Sequence, residues 1–247
     1  MTLLSLLTPL INHVVLPDIL YKIGIRKLLK QRLNETTQAY SKISLKDYAT
    51  LLTQQPIAIQ TDLANEQHYE VPSIFYKYIL GHHYKYSCCY YEKQSTSLTE
   101  AEEAMLALYC KRAKLQDGQH ILDLGCGWGS LSLYMAQKFP NASITAISNS
   151  HTQQAHISAQ IKKLNIKNLV LQKENVAHLK FDPIFDRIIS IEMLEHIRNY
   201  QEIFKRISNW LTPNGLVFAH IFGHKRYAYE FKVTSPNDWM AKYFFSG

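Results

Sequence analysis

The 247 residues, 47% hydrophobic and 19% charged, suffice for one full domain with a substantial appendage and exclude a disordered chain. A formal net charge of +7 points to anionic partners, either lipid headgroups or nucleic acid, or to solubility alone. Four cysteines (Cys88, Cys89, Cys110 and Cys126) show no C-x-x-C spacing, which predicts reduced thiols in a cytoplasmic protein and no structural metal site.

The opening stretch, MTLLSLLTPLINHVVLPDIL, is apolar, but it lacks an early positive charge and a small-residue cleavage site. Pro9, Asn12, His13 and Pro17 interrupt it, which argues against a signal peptide or a membrane span. The following YKIGIRKLLKQR sets Lys22, Arg26, Lys27, Lys30 and Arg32 among Ile23, Ile25, Leu28 and Leu29. It reads as a basic amphipathic helix, packed on its own domain or lying on a membrane surface, with the first favoured. Residues 1 to about 60 read as short helices, and residues 1–64 as an N-terminal helical cap on a domain spanning 65–247.

Residues 65–97 are rich in tyrosine and histidine and predict irregular structure around one short helix, Ser73 to Leu80. A helix then starts at a T-x-x-E box, Thr99 and Glu102, with Ala101, Ala104, Met105 and Leu108 on one face. From His120 onward strands and helices alternate. The expected strands are His120–Leu124, Ser143–Ser148, Asn168–Gln172, Asp186–Ile191 and Leu216–Phe222. The expected helices are Ser130–Phe139, His151–Leu164 and Tyr200–Leu211, the last stopped by Pro213-Asn214-Gly215. Such alternation implies a parallel sheet with helices on both faces, because parallel strands need crossover connections. Ligands of such sheets bind at the carboxyl ends of the strands.

Two segments fall at those ends. In ILDLGCGWGS, Gly125, Gly127 and Gly129 follow a strand and open a helix, whose free N–H groups suit an anionic ligand. The spacing is G-x-G-x-G, without the third glycine of a dinucleotide fingerprint, and no carboxylate ends the second strand in ISNS. Those two absences rank a nicotinamide dehydrogenase last. In IISIEMLEHIRNY, Glu192, Glu195 and His196 have helical spacing, which would let Glu192 meet the other two. Three ionisable groups at a ligand edge suggest acid–base chemistry.

HYEVPSIFYKYIL, YSCCYYE, ILDLGCGWGS, SNSHTQQ and SIEMLEHIRNY together resemble the cyclopropane-fatty-acid-synthase superfamily of S-adenosylmethionine-dependent methyltransferases. NEQHYEVP, LDLGCGWGSLSLY, ISNWL and DWMAKYFFSG are most similar to its coclaurine N-methyltransferase type, and the likeness runs from about Asn65 to the last residue. The resemblance implies a class I, Rossmann-like α/β methyltransferase fold. It also implies S-adenosyl-L-methionine as cofactor, held by Asp123, Gly125, Gly127, Gly129, Ser148, Asn149 and Gln153. Asn175 and Val176 stand near the adenine, where relatives often carry aspartate, and Tyr69, Tyr86 and Ser87 match residues that close over the cofactor.

For the reaction, the likeness implies that Glu192, Glu195 and His196 serve the nitrogen of a small-molecule amine. A lipid branch, which methylates an alkene and uses bicarbonate as proton acceptor, is matched by Cys88, Glu195 and His220. That branch typically has glycine where this chain has Glu192. Family members continue beyond DWMAKYFFSG, so the final strands and part of the pocket are expected to be missing. A chain of that kind would dimerise, need a complementing C-terminal segment, or be an inactive cofactor-binding or partner-binding remnant. Nucleic acid is not an expected partner, because the lysines are scattered. Peripheral membrane contact would run through the basic N-terminal segment.

Overall fold

The computed structural model describes residues 16–40, 43–58 and 73–227. Two compact units divide the chain: Leu52–Phe222, and Met1–Leu51 together with Gly223–Gly247. Tyr69, the apolar first fifteen residues and the stretch after Tyr227 lie outside the described residues. So do the expectations that concern them.

In the smaller unit, α1 (Asp18–Tyr40) is one continuous helix of 23 residues, not a set of short ones. No proline interrupts it after Pro17, and Gly24 alone is not enough to break it. The amphipathic reading is also corrected. Ile19, Ile23, Ile25, Leu29 and Leu33 are all exposed and share their side of the helix with Lys22, Arg26 and Lys30, so no single apolar face exists. No helix among the described residues is long and apolar enough to cross a membrane. Helix α2 (Leu45–Thr53) begins where the Ser44 hydroxyl accepts the Asp47 N–H at 3.1 Å.

The larger unit contains a five-stranded parallel sheet in the order β3-β2-β1-β4-β5. Its strands are β1 (His120–Leu124), β2 (Ser143–Ser148), β3 (Leu169–Lys173), β4 (Phe185–Ile191) and β5 (Leu211–His220). The helices of this unit are α3 (Ser73–Ile79), α4 (Leu98–Arg112), α5 (Ser130–Lys138), α6 (His151–Lys163) and α7 (Tyr200–Trp210), with a 3-10 turn at Leu194–His196. Successive side chains of a strand point to opposite faces, and β1 builds two cores this way. Ile121 joins Leu106, Tyr109, Met135, Ile144 and Ile157 on one face. Leu122 and Leu124 join Ile188, Ile203, Ile207 and Trp210 on the other. Asp123 alternates back towards α5, where it is buried.

Two local expectations are corrected. Helix α4 is capped by Ser97 and Glu100, two residues before the expected box: Ser97 N–H donates to Glu100 Oε2 at 2.7 Å and Glu100 N–H to Ser97 Oγ at 3.3 Å. Glu102 is drawn inward instead, fully buried beneath Gly81, and its carboxylate accepts the N–H groups of His83 at 3.0 Å and Lys85 at 3.4 Å. That carboxylate anchors the loop leading to Cys88. Strand β5 starts at Leu211 and ends at His220, five residues earlier and two residues sooner than expected. Pro213-Asn214-Gly215 does not stop the helix from outside; it forms a bulge between the Phe185↔Leu211 and Arg187↔Leu216 pairs. A proline without an N–H fits such a bulge because no ladder bond is required of it.

Candidate active site

Each glycine of the turn after β1 does something different. A Cβ on Gly125 would lie 2.5 Å from Met193 Cγ, and one on Gly129 would lie 2.7 Å from Ile157 Cγ1. These two keep neighbouring side chains close. Gly127, at φ +54°, has no atom of the described residues beyond its chain neighbours within 4 Å of where a Cβ would stand. The space above it is open to a ligand. Helix α5 then starts at Gly129 with no side-chain cap, so its first-turn N–H groups face the same end of the sheet.

Around this turn several buried polar atoms have no protein partner among the described residues: Trp128 Nε1, Ser130 Oγ and Gln153 Nε2. Gln153 is 3% exposed, and its carbonyl oxygen accepts the Ser148 hydroxyl at 2.8 Å, which leaves only the amide NH2 to offer. Orphaned buried donors cost about 1–3 kcal/mol each unless something satisfies them. A ligand with hydroxyl, carboxylate and ring-nitrogen acceptors would do so, and a nucleoside amino acid such as S-adenosylmethionine carries all three. Asn149 is partly exposed beside this pair. Asn175 Oδ1 accepts the Ala177 N–H at 2.9 Å in a local turn, and Val176 packs against the second core.

An aromatic wall stands on the other side of the turn. Trp128 packs on Tyr76 with ring centroids 4.6 Å apart, and Tyr76 meets Tyr86 edge-on at 5.5 Å. Tyr84 and His156 close it, 4.3 Å apart. Burial raises the Tyr76 phenol to about 12, with Tyr86 adding to the effect, and burial also raises Tyr86. The Tyr86 ring stands beside this wall, against Tyr76. Trp128, Tyr76, Tyr84 and His156 escaped the sequence reading, although a tryptophan between two glycines was a visible signal.

Beneath the turn, Asp123 accepts the Ser132 hydroxyl at 2.5 Å and is 2% exposed. Burial pushes its carboxyl up to about 6 from 3.8, against the opposing pull of Ser132. A carboxyl raised by folding binds more protons folded than unfolded between those values, so its contribution falls as pH rises from about 4 to about 6. Charging it in the fold then costs roughly 3 kcal/mol. Asp123→Asn keeps an acceptor for Ser132 and carries no charge. The variant should match the wild type in thermal stability near pH 4 and exceed it by pH 7; equal melting temperatures at both pH values would contradict this burial cost.

The second group of residues forms at the ends of β4 and β5. Glu192 has φ +51°, the left-handed region, and its N–H donates to the His220 carbonyl at 2.8 Å. One Glu192 carboxylate oxygen accepts the Cys88 N–H at 3.4 Å. Cys88 Sγ lies 3.9 Å from His220 Nε2, and the thiol, carboxylate and ring nitrogen of the three residues are all within 4.8 Å of one another. These donors would also suit a divalent cation, but the Lys85 amine, bonded to the Cys88 carbonyl at 2.6 Å, opposes one.

The helical grouping read from sequence is corrected here. The 3-10 turn spans only Leu194–His196, Glu192 precedes it in a left-handed conformation, and its carboxylate meets Cys88 and not His196. Glu195 Oε1 accepts the Phe222 N–H while Oε2 is buried without a partner among the described residues. Burial raises the Glu195 carboxyl above its ordinary value, helped by Glu192 and opposed by the Phe222 bond. Burial lowers His196, with Arg198 adding to the shift, which favours a neutral ring. Ser87 Oγ accepts from Lys85 Nζ at 2.5 Å. Lys85 and Tyr109 were not foreseen, because nothing in a lone lysine or a helical tyrosine marks it as part of a site.

The family described as mycolic acid cyclopropane synthetase matches residues 58–247. The chain is 38% identical over 234 residues to (S)-coclaurine N-methyltransferase of Thalictrum flavum subsp. glaucum, covering 94% of this chain and 65% of that protein. It is 36% identical over 224 residues to pavine N-methyltransferase of the same plant, covering 91% and 63%. It therefore spans slightly less than two thirds of the length of these curated relatives. The crystal structure of coclaurine N-methyltransferase bound to N-methylheliamine and SAH superposes with a TM-score of 0.84 at 37% identity, over 93% of this chain and 67% of that one. The parallel sheet and its flanking helices are those of a class I methyltransferase fold, and the chain belongs to the mycolic acid cyclopropane synthetase family.

Proposed function

We propose that this protein transfers a methyl group from S-adenosylmethionine to the nitrogen of a small amine. The observation that carries the reading is the backbone of Glu192. A non-glycine residue in the left-handed region costs about 1–2 kcal/mol, and the site accepts that cost while placing a carboxylate beside Cys88. The lipid branch resembled by this sequence typically has glycine there, which the conformation favours. Retaining glutamate in its place makes sense where a cation must be held or deprotonated.

The cofactor would be held by the open face of Gly127, the start of α5, Ser148 and Gln153, with Tyr86 and Trp128 beside it. When bound, it supplies an electrophilic methyl on a sulfonium. The protein must then present an amine with a free lone pair, in line and away from water. Glu192 and Glu195 draw an ammonium to the strand ends and take its proton, while the aromatic wall excludes solvent. Amines such as coclaurine, named for the relative above, are the substrate class that the likeness suggests.

A second reading has its own support. Cys88, His220 and Glu195 are assembled at the same strand ends, and these are the residues that match the alkene-methylating lipid branch. One experiment separates the two. Purified protein with methyl-labelled S-adenosylmethionine receives either coclaurine or unsaturated phospholipid vesicles, with and without bicarbonate. We expect label in the amine and no bicarbonate dependence; label in the lipid, lost on bicarbonate depletion, would overturn the ranking. A cytoplasmic location and self-association belong to the same proposal. Sedimentation of the purified chain at several concentrations tests the latter, and a monomer at all of them would remove it.

A further inference from the structure

Lys85 and Tyr109 have no role in the reaction described above, yet both are buried against its proton-handling end, at 4% and 1% exposure. Lys85 Nζ donates to Ser87 Oγ at 2.5 Å, to the Cys88 carbonyl at 2.6 Å and to the Tyr109 hydroxyl at 3.3 Å. Three acceptors match the three N–H bonds of an ammonium. Burial lowers this amine from its ordinary value, but Cys88, Cys89, Glu192 and Glu102 all favour its charged form.

Having accepted from Lys85, the Tyr109 hydroxyl, which also neighbours the Ser87 side chain, has one proton to give, and two ring or thiol acceptors stand near it. His220 Nδ1 is 2.9 Å away and Cys88 Sγ is 3.8 Å away. A hydrogen bond of 2.9 Å to nitrogen is of full strength, whereas a thiol is a weak acceptor at any distance. Giving the proton to the nitrogen makes the stronger bond, and we take His220 Nδ1 as its acceptor. Burial, with Cys88 adding to it, raises the Tyr109 phenol well above its ordinary value, so that proton is not lost to solvent. An accepting Nδ1 carries no proton, which puts the proton of a neutral His220 ring on Nε2, the nitrogen facing Cys88.

We propose that Lys85 and Tyr109 are positioning residues that lock His220 as its Nε2–H tautomer, so that His220 donates a hydrogen bond into the acceptor site and cannot serve there as the base. The inference rests on the amine-methylating reading and assigns its proton. The N–H bond of the substrate ammonium breaks, the proton bonds to a Glu192 carboxylate oxygen, and the nitrogen keeps the electron pair. Among the described residues, the groups facing His220 are Tyr109 from α4, Cys88 from the loop before α4, and Glu192 after β4, with Lys85 behind Tyr109. Of these only Glu192 offers a carboxylate.

The test reads the tautomer directly. The full chain is labelled with nitrogen-15 histidine, and the His220 ring signals are assigned by their loss in His220→Gln. We expect a protonated Nε2 and an unprotonated Nδ1 in the wild type. Tyr109→Phe, which keeps the ring and removes the hydroxyl, should mix the tautomers and lower kcat by about 10- to 100-fold with KM little changed. Lys85→Met should move the ring signals in the same direction. A wild-type ring protonated on Nδ1, or a Tyr109→Phe spectrum identical to the wild type, would overturn the proposal. Because the spectrum needs no turnover, a locked tautomer in a protein that methylates no amine would overturn the functional reading and the role of Glu192, while the lock itself would stand.

Discussion

Glu192→Gln should lower kcat for amine methylation by about 100-fold or more, the usual contribution of a positioned acid–base group, while affinity for S-adenosylhomocysteine stays within about twofold. Glutamine keeps the shape of the side chain and an acceptor for the Cys88 N–H, so the loss isolates the charge. Glu192→Gly asks a separate question. It removes about 1–2 kcal/mol of left-handed strain but adds about 0.4–1 kcal/mol of unfolded-state entropy. The net change should lie between about 0 and 1.6 kcal/mol, on the stabilising side. A variant of equal or higher melting temperature that has lost amine turnover would show a residue kept for chemistry against its backbone preference. Full turnover in the Gln variant, or a large loss of stability in the Gly variant, would remove Glu192 from the mechanism.

Gly127→Val should abolish measurable binding of S-adenosylhomocysteine by calorimetry. A branched Cβ would enter the open space above the turn and also strain a backbone at φ +54°. A steric cost of about 3 kcal/mol corresponds to about 100-fold in Kd. Gly127→Ala separates the two effects: its methyl meets no neighbouring side chain of the described residues, so the fold should lose only the strain, about 1–2 kcal/mol, while binding still weakens. Gly129→Ala should behave in the opposite way, with its methyl driven against Ile157 in the core and its main loss in melting temperature. If Gly127→Ala bound the ligand as tightly as wild type, the ligand would not approach over this glycine.

Much of the domain was legible because its signals are local. The runs at His120–Leu124 and Ser143–Ser148 matched the observed strands at both ends, since apolar residues bounded by glycine, proline and polar turns leave little freedom of register. The glycine turn was legible for the same reason: three glycines between a strand and a helix announce positive φ before any contact is known. The helix start was read from a local pattern that the fold overrode. Thr99 and Glu102 fit a capping box, but Ser97 and Glu100 form the cap, while the Glu102 carboxylate is taken by the His83 and Lys85 amides.

The sequence by itself therefore determined the alternating architecture, the ligand edge of the sheet and the residue types present there. The grouping of those residues was decided by tertiary structure. Cys88 is 104 positions from Glu192 and 132 from His220, and Tyr109 is 111 from His220. They meet because β4 and β5 pair in parallel, with Ile191 beside His220, and because Glu102 holds the loop before Cys88. Helical spacing suggested that Glu192 would face His196, but the left-handed turn at Glu192 sent its carboxylate towards Cys88. A periodic pattern specifies which face of an element is buried. The pairing of strand ends and the sign of one φ angle depend on contacts that no local pattern contains.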